Sequence, residues 1–381
     1  MKLAWFRAGT PQPTRPLDDT AALIAELRSV HDIEVFTAAN AHDFVWKNFR
    51  APYDLSVCEL DNSAAHAFIW PYLLHYGGVV LLRTLVLHDS RAAALLRERR
   101  MQDYAAEFAF NHGPWPRRPP TALPLCHGKW PMLRVPLLAS RVAIVSHPST
   151  AAALQEANPG ARVRFLRTGV QRVQGVRNVQ GSTVTFGVLS TDRVEMVRRA
   201  VAEARETGAA ALADDSSPER VLREADVIVS LPWPWFGEAQ TPALAAMAAG
   251  KPVIVLETAA TADWPALDPQ TWRPRGLIPE TPIAVSIDPR DEEHSLALAI
   301  RRLTTDATLR ARLGNAAHAW WRAHATPRHA ADDWGRLLAE AAPLDPPARP
   351  SDWPVHLSAD GTECAHAILN ECGVTVDLLS P

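Results

Sequence analysis

At 381 residues, 47% of them hydrophobic and 21% charged, the chain is longer than one core usually organises and too apolar to be disordered. Two domains of roughly 150 to 200 residues are therefore expected. Thirty-nine basic against 42 acidic residues leave a net charge of −3, with no cationic excess to neutralise a nucleic-acid backbone. Cys58, Cys126, Cys364 and Cys372 lack C-x-x-C spacing, which argues against a zinc cage or disulfide framework and for a reducing, cytoplasmic setting.

From the amino terminus, short β-rich apolar runs at Leu3 to Phe6, Ile33 to Phe36, Leu55 to Cys58, Val79 to Leu82, Val142 to Val145 and Val163 to Leu166 read as buried strands. Helical spacing lies between several of them, at Asp18 to Val30, Ser63 to Tyr76 and Ser149 to Ala157. A second series follows, with strands at Val184 to Leu189, Val227 to Leu231, Val253 to Leu256 and Ile283 to Ile287. Its helices are expected at Asp192 to Thr207, Pro218 to Ala225, Thr241 to Ala249, Glu292 to Leu303 and Leu309 to Ala323. Alternating strand and helix implies parallel sheets covered on both faces. The chain therefore reads as α/β, with two Rossmann-like domains facing across a cleft. The expected division is 1–170, a linker over 171–182, a second domain over 183–345 and a Pro-rich tail over 346–381, in which Asp360 to Gly373 forms one helix. No run approaches the ~18 apolar residues that span a bilayer, so the expectation is a soluble protein with peripheral contact at the inner membrane face left open.

Ser230 to Glu257 carries the densest signal: strand, loop, helix, turn, strand. Thr241 reads as an N-cap and Pro242 as the first helical residue, where its missing N–H costs nothing. Gly250 followed by Lys251-Pro252 is a helix stop. The helix start offers about +0.5 charge and unpaired N–H groups, and Glu238 stands just before it. A carboxylate beside such a tip suits sugar hydroxyls next to a phosphate; the other reading of Glu238 is a solvated loop acid.

This segment resembles the donor loop of retaining glycosyltransferases of family 4. Gly237-Glu238 and Gly250-Lys251-Pro252-Val253-Ile254-Val255 stand where one branch has Gly-Glu-Thr-Ser-Gly and Gly-Lys-Pro-Val-Ile-Val. Asn62-Ser63 with His66-Ala67-Phe68, Val145-Ser146-His147 and Arg290 to Leu296 are similar to further segments of that branch. The resemblance covers about residues 1 to 345 and implies the GT-B fold, with transfer of a hexose from a nucleoside-diphosphate sugar to a hydroxyl acceptor, retaining configuration. It implies a donor site of Gly237, Glu238, Gln240, Thr241 and Arg193, the last offsetting phosphate charge. The acceptor side falls on Asn62, His66, Arg83 and His88, and Glu238, Arg193 and His88 become the catalytic candidates. Arg193 has a second reading as an ordinary exposed helix residue.

No metal and no cofactor beyond the donor substrate is implied, and the acceptor is a glycan or a lipid-linked hydroxyl. Thr10 and Arg15 are further polar candidates in the opening loop, and Trp233 and Trp235 are expected pocket walls. The sequence departs from the family pattern at Ala245, where a second acid is common, and at Arg83-Thr84, where the branch has His-Asp. Those departures motivate the alternative of a catalytically weakened binding or scaffold protein on the same two-domain shell.

Overall fold

The computed structural model describes residues 1–9, 17–114, 128–175, 183–189, 193–206, 208, 210–213, 217–275, 281–359 and 363–373. Thr10, Arg15 and Asp192 lie outside the described residues, as does most of the expected linker. The first sheet holds β1 (Lys2–Phe6), β2 (Asp32–Phe36), β3 (Leu55–Leu60), β4 (Val79–Leu82), β5 (Val142–Val145) and β6 (Val163–Phe165), in the order β2-β1-β3-β4-β5-β6. Every pairing is parallel. Around it lie α1 (Asp19–Leu27), α2 (His42–Arg50), α3 (Ile69–Tyr76), α4 (His88–Arg97), α5 (Met101–His112), α6 (Arg134–Ala139) and α7 (Pro148–Ala157).

The second sheet holds β7 (Val184–Val188), β8 (Ala210–Ala213), β9 (Val227–Ser230), β10 (Val253–Leu256), β11 (Ala266–Leu267) and β12 (Ala284–Ile287), in the order β11-β12-β10-β9-β7-β8. It too is parallel throughout. Its helices are α8 (Val194–Ala204), α9 (Pro218–Glu224), α10 (Thr241–Ala248), α11 (Glu292–Thr305) and α12 (Ala307–His324), followed by α13 (Pro327–Ala341) and α14 (Glu363–Glu371). Strands such as β3 and β10 are buried along their whole length, as sheets covered on both faces require. Each sheet reverses strand order next to its first strand, between β1 and β3 and between β7 and β9. Those reversals open the crevices where ligands of such sheets bind.

Within the expected 183–345 domain, α13 packs on the first domain. Thr326 caps it, its hydroxyl accepting from the His329 N–H, and Pro327 opens it. Its apolar face, including Trp334 and Leu338, packs in one cluster with Leu3, Trp5 and Leu23 of the first domain. Trp334 and Trp5 lie 5.1 Å apart, centroid to centroid. The tail continues on the same side, where Trp353 and Leu357 complete the core around Phe6 and Trp70. The chain thus crosses between domains twice, and the crossings are bonded: Val170 N–H donates to the Ala325 carbonyl at 2.9 Å, and Trp321 Nε1–H to the Val170 carbonyl at 3.0 Å. This seam holds the two sheets together at one side and leaves their carboxyl ends to meet at the other.

Candidate functional site

The donor-loop segment folds as its sequence suggests, with one correction at the helix start. Gln240, not Thr241, occupies the cap position; its side chain makes no capping bond, and Thr241 is the first helical residue. At the other end Gly250, at φ +71°, lets its N–H reach the Met247 carbonyl while Lys251 N–H reaches that of Ala246, which satisfies two otherwise orphaned carbonyls. Thr241 and Ala243 to Ala248 are all buried, so α10 is a core helix whose tip alone reaches the cleft. Ala245 is fully buried, so an acid there would carry its charge into the core.

Glu238 hangs from this loop across the gap to the first domain. Its Oε1 accepts from the Thr84 hydroxyl at 3.2 Å and its Oε2 from the Phe236 N–H at 2.7 Å. The loop backbone is anchored as well: the Glu238 carbonyl accepts from His147 Nε2–H and from Trp235 Nε1–H, each at 3.0 Å. Gly237 sits at φ +89°, and a Cβ there would lie 2.3 Å from Leu85 Cγ, so a conformation and a clearance open to glycine bring the loop against the first domain. Burial raises the Glu238 carboxyl above the ordinary carboxylate range; the Phe236 and Thr84 bonds oppose this, and the nearby Asp61 adds to it. Burial also pushes the His147 imidazole down, which suits a neutral ring donating to a carbonyl.

Between these groups lies a cavity of about 270 Å³ lined from both domains, by Leu17, Asp61, Asn62, Ser63 and Thr84 on one side and Phe236, Glu238, Ala239, Thr241 and Pro242 on the other. Asn62 does not merely line it. Its Oδ1 accepts the Asp89 N–H at 2.8 Å and its Nδ2 donates to Asp89 Oδ2 at 2.7 Å, tying the end of β3 to the first turn of α4.

The remaining sequence candidates are distributed unevenly. Arg193 occupies the cap position of α8 at φ +63° and clasps Glu292 through two hydrogen bonds of 2.6 Å. Its guanidinium also lies 5.1 Å from the Trp233 ring, at the start of the donor loop. Gln240 is buried at the edge of a smaller crevice shared with His147, Arg167 and Asp263.

Three acceptor-side candidates are buried and bonded within the first domain. Arg83 is 5% exposed and its guanidinium pairs with Asp19 at 2.5 Å and Glu59 at 3.4 Å, so it balances buried acids inside the first domain. His88 is fully buried; its Nδ1–H donates to the Trp130 carbonyl at 2.7 Å and its Nε2 accepts from the Tyr104 hydroxyl. His66 is 3% exposed and bonded to Ser63 Oγ at 2.9 Å, which places it behind the cavity wall. Trp235 braces the loop against His147, with 5.2 Å between ring centroids, and it is Phe236 that forms cavity wall. Sequence reasoning missed Asp61, Thr84 and His147 as site residues. They share one local signal, position: each follows the end of a strand of the first sheet, β3, β4 or β5.

Among the described residues, no group of three or more His, Cys, Asp or Glu side chains is placed to hold a metal ion, and no helix is long and apolar enough to cross a membrane. No family model matches the sequence, and no curated protein matches it. Solved structures do match the fold. HepE of Anabaena, in complex with UDP and glucose, is 12% identical with a TM-score of 0.55, covering 89% of this chain and 100% of its own. Sucrose-phosphate synthase of Thermosynechococcus elongatus is 13% identical with a TM-score of 0.58, covering 89% and 98%. The catalytic domain of starch synthase IV of Arabidopsis thaliana, bound to ADP and acarbose, is 9% identical with a TM-score of 0.55, covering 90% and 99%. These neighbours are GT-B glycosyltransferases, and the chain shares their fold of two Rossmann-like domains.

Proposed function

We propose that this chain is a glycosyltransferase that moves a hexose from a nucleoside-diphosphate sugar to a hydroxyl acceptor with retention of configuration. The observation that carries the reading is the position of Glu238, a carboxyl held in an inter-domain cavity at the tip of α10 and offered to a ligand from the second domain. Support also comes from the neighbours, whose complexes contain UDP with glucose or ADP with acarbose.

In this reading Glu238 accepts hydrogen bonds from the sugar hydroxyls, and Gly237 lets the loop lie close enough for it to do so. The leaving pyrophosphate gains charge as the glycosidic bond lengthens. The N–H groups of Thr241 and Ala243 at the α10 tip oppose that charge, with Arg193 a candidate cation once it exchanges Glu292 for phosphate. The anomeric carbon parts from the phosphate oxygen, the acceptor oxygen bonds to the same face, and the acceptor proton passes to the departing phosphate. No protein nucleophile and no cofactor other than the donor is needed. The acceptor, a glycan or lipid-linked hydroxyl, approaches from the first domain past Asn62 and Ser63. The setting proposed is cytoplasmic, with peripheral contact at the inner membrane face for a lipid-linked acceptor.

One observation favours the second reading, a non-catalytic binding protein: Arg83 and His88, which the first domain would contribute to turnover, are both committed to internal partners. Incubating the protein with uridine, guanosine and adenosine diphosphate sugars and a glycan acceptor panel separates the two. Nucleoside-diphosphate release with a new glycoside supports transfer, whereas calorimetric donor binding without release over hours supports the binding protein. Glu238→Gln is expected to lower kcat/KM for the donor by roughly ten- to a hundredfold, as loss of a hydrogen bond to a charged group does. Unchanged kinetics would remove Glu238 from the site.

A further inference from the structure

Helix α2 turns apolar residues outward. Phe44 anchors it: this ring is 2% exposed and packs on Phe6 and Phe36 with 5.0 and 5.5 Å between centroids. At 3.6 residues per turn the face opposite Phe44 holds His42, Val45, Trp46, Phe49 and Arg50, and these five are the exposed residues of the helix. Val45 is 49%, Trp46 57% and Phe49 80% exposed, so three of the eight exposed large hydrophobic side chains among the described residues fall on this one helix. A surface helix ordinarily presents polar and charged groups there. A contiguous apolar face in their place marks a contact surface.

The face is also preassembled. The Trp46 and Phe49 rings stack with 6.1 Å between centroids, and the Arg50 guanidinium lies 4.5 Å from the Trp46 centroid. No acid stands among the five. Asp43 borders them, 3.2 Å from His42, and Lys47 on the flank pairs with Glu34, whereas Arg50 has no ion-pair partner among the described residues.

Size and chemistry select the occupant. Aromatic side chains bury 150–250 Å² each when fully covered, so the exposed parts of Val45, Trp46 and Phe49 come to roughly 300–400 Å², well below the ~800 Å² per partner of a standard protein interface. A second copy seated on this helix would bury too little to hold. A bilayer sets no such threshold, because each side chain that enters the headgroup boundary contributes separately. Trp and Phe seat there, and the long Arg stem follows them while its guanidinium meets lipid phosphate.

We propose that α2 docks the first domain onto a phospholipid surface carrying anionic headgroups, with Trp46 and Phe49 entering the boundary between headgroups and acyl chains and Arg50 pairing with phosphate. The inference gives a surface to the peripheral contact proposed above and does not depend on the donor site.

The test floats the full chain with vesicles of phosphatidylcholine alone and of phosphatidylcholine mixed with phosphatidylglycerol at about two to one, expecting tighter partition onto the mixture. Replacing Trp46 and Phe49 together by Ser is expected to lower that partition about tenfold or more. Arg50→Gln should lower it about fivefold on the mixture and little on phosphatidylcholine. Thermal melting checks that the variants are folded; should the double variant not be, Phe49→Ser alone must weaken partition. No binding to either vesicle, equal binding to both, or unchanged partition in a folded variant lacking these aromatics overturns the proposal. A concentration-dependent dimer in sedimentation that the double substitution abolishes also overturns it and assigns the face to a second copy. Nucleotide-sugar affinity without vesicles is expected to be equal in the double variant and the unaltered chain. A protein that floats but binds no nucleotide sugar removes the donor reading and leaves this inference standing.

Discussion

The carboxyl ends of the two sheets are equivalent by topology and opposite in use. In the first domain the edge carries its own ion pairs: Arg7 with Asp18 and Glu59, and Arg83 with Asp19 and Glu59, between β1, β3, β4 and the start of α1. In the second domain the corresponding edge carries a loop and a bare helix tip, and its acid, Glu238, is sent outward to the neighbouring domain. A residue type at the end of a strand therefore says little by itself. Arg83, just past the end of β4, is paired with acids of its own domain, whereas Glu238, in the loop after β9, meets a hydroxyl, backbone N–H groups and a cavity. The domains differ in whether their polar groups are closed on themselves or left for a ligand.

Replacing Arg83 by Met tests the closed edge most severely. It removes a buried cation shared by Asp19 and Glu59, so a loss of about 3–5 kcal/mol in unfolding free energy is expected, read by urea denaturation. Donor affinity of the folded fraction should change little, and a selective loss of donor affinity without destabilisation would return Arg83 to the binding site. Gly237→Ala attacks the open edge instead. With φ at +89° and Leu85 in the way, about 1–3 kcal/mol of strain is expected, together with weaker donor binding as the loop pulls away from the first domain. Equal stability and affinity would show that the loop does not depend on that close approach.

The smallest effect concerns charge on Glu238 in the absence of ligand. Because burial raises its pKa in the folded state, ionisation costs stability: the cost is absent in acid, where folded and unfolded chains are both protonated, and is complete once pH has risen through the folded value. Glu238→Gln removes that cost and can keep the acceptor oxygen that meets the Phe236 N–H. Its melting temperature should therefore exceed that of the unaltered protein at neutral pH and converge with it in acid, as followed by scanning calorimetry. A difference that grows in acid would mean the carboxyl is stabilised by ionisation, contrary to its environment.

Much of the architecture was legible because it is local. Six apolar runs in the first half became β1 to β6, and the Gly250-Lys251-Pro252 stop ends α10 through two backbone bonds, as its chemistry requires. What was not legible depends on partners far along the chain. Nothing near Trp334 announces that it will pack on Trp5, so α13 reads naturally as part of the domain it follows. Arg83 and His88 look like site residues until Asp19, Glu59, Tyr104 and Trp130 arrive to bond them. Conversely, His147 and Thr84 look ordinary, and each acquires its part only because the donor loop, 91 positions later for His147, comes to rest against it.

From the sequence alone came the alternation of strand and helix, the two-domain division of the core and the acid beside a helix tip, since hydrophobic period and turn chemistry act over a few neighbouring residues. Tertiary structure decided which polar groups remain available to a ligand. A charge or imidazole is claimed or spared according to the burial and partners it meets after the chain has crossed between domains, and those contacts leave no mark on the residues around it.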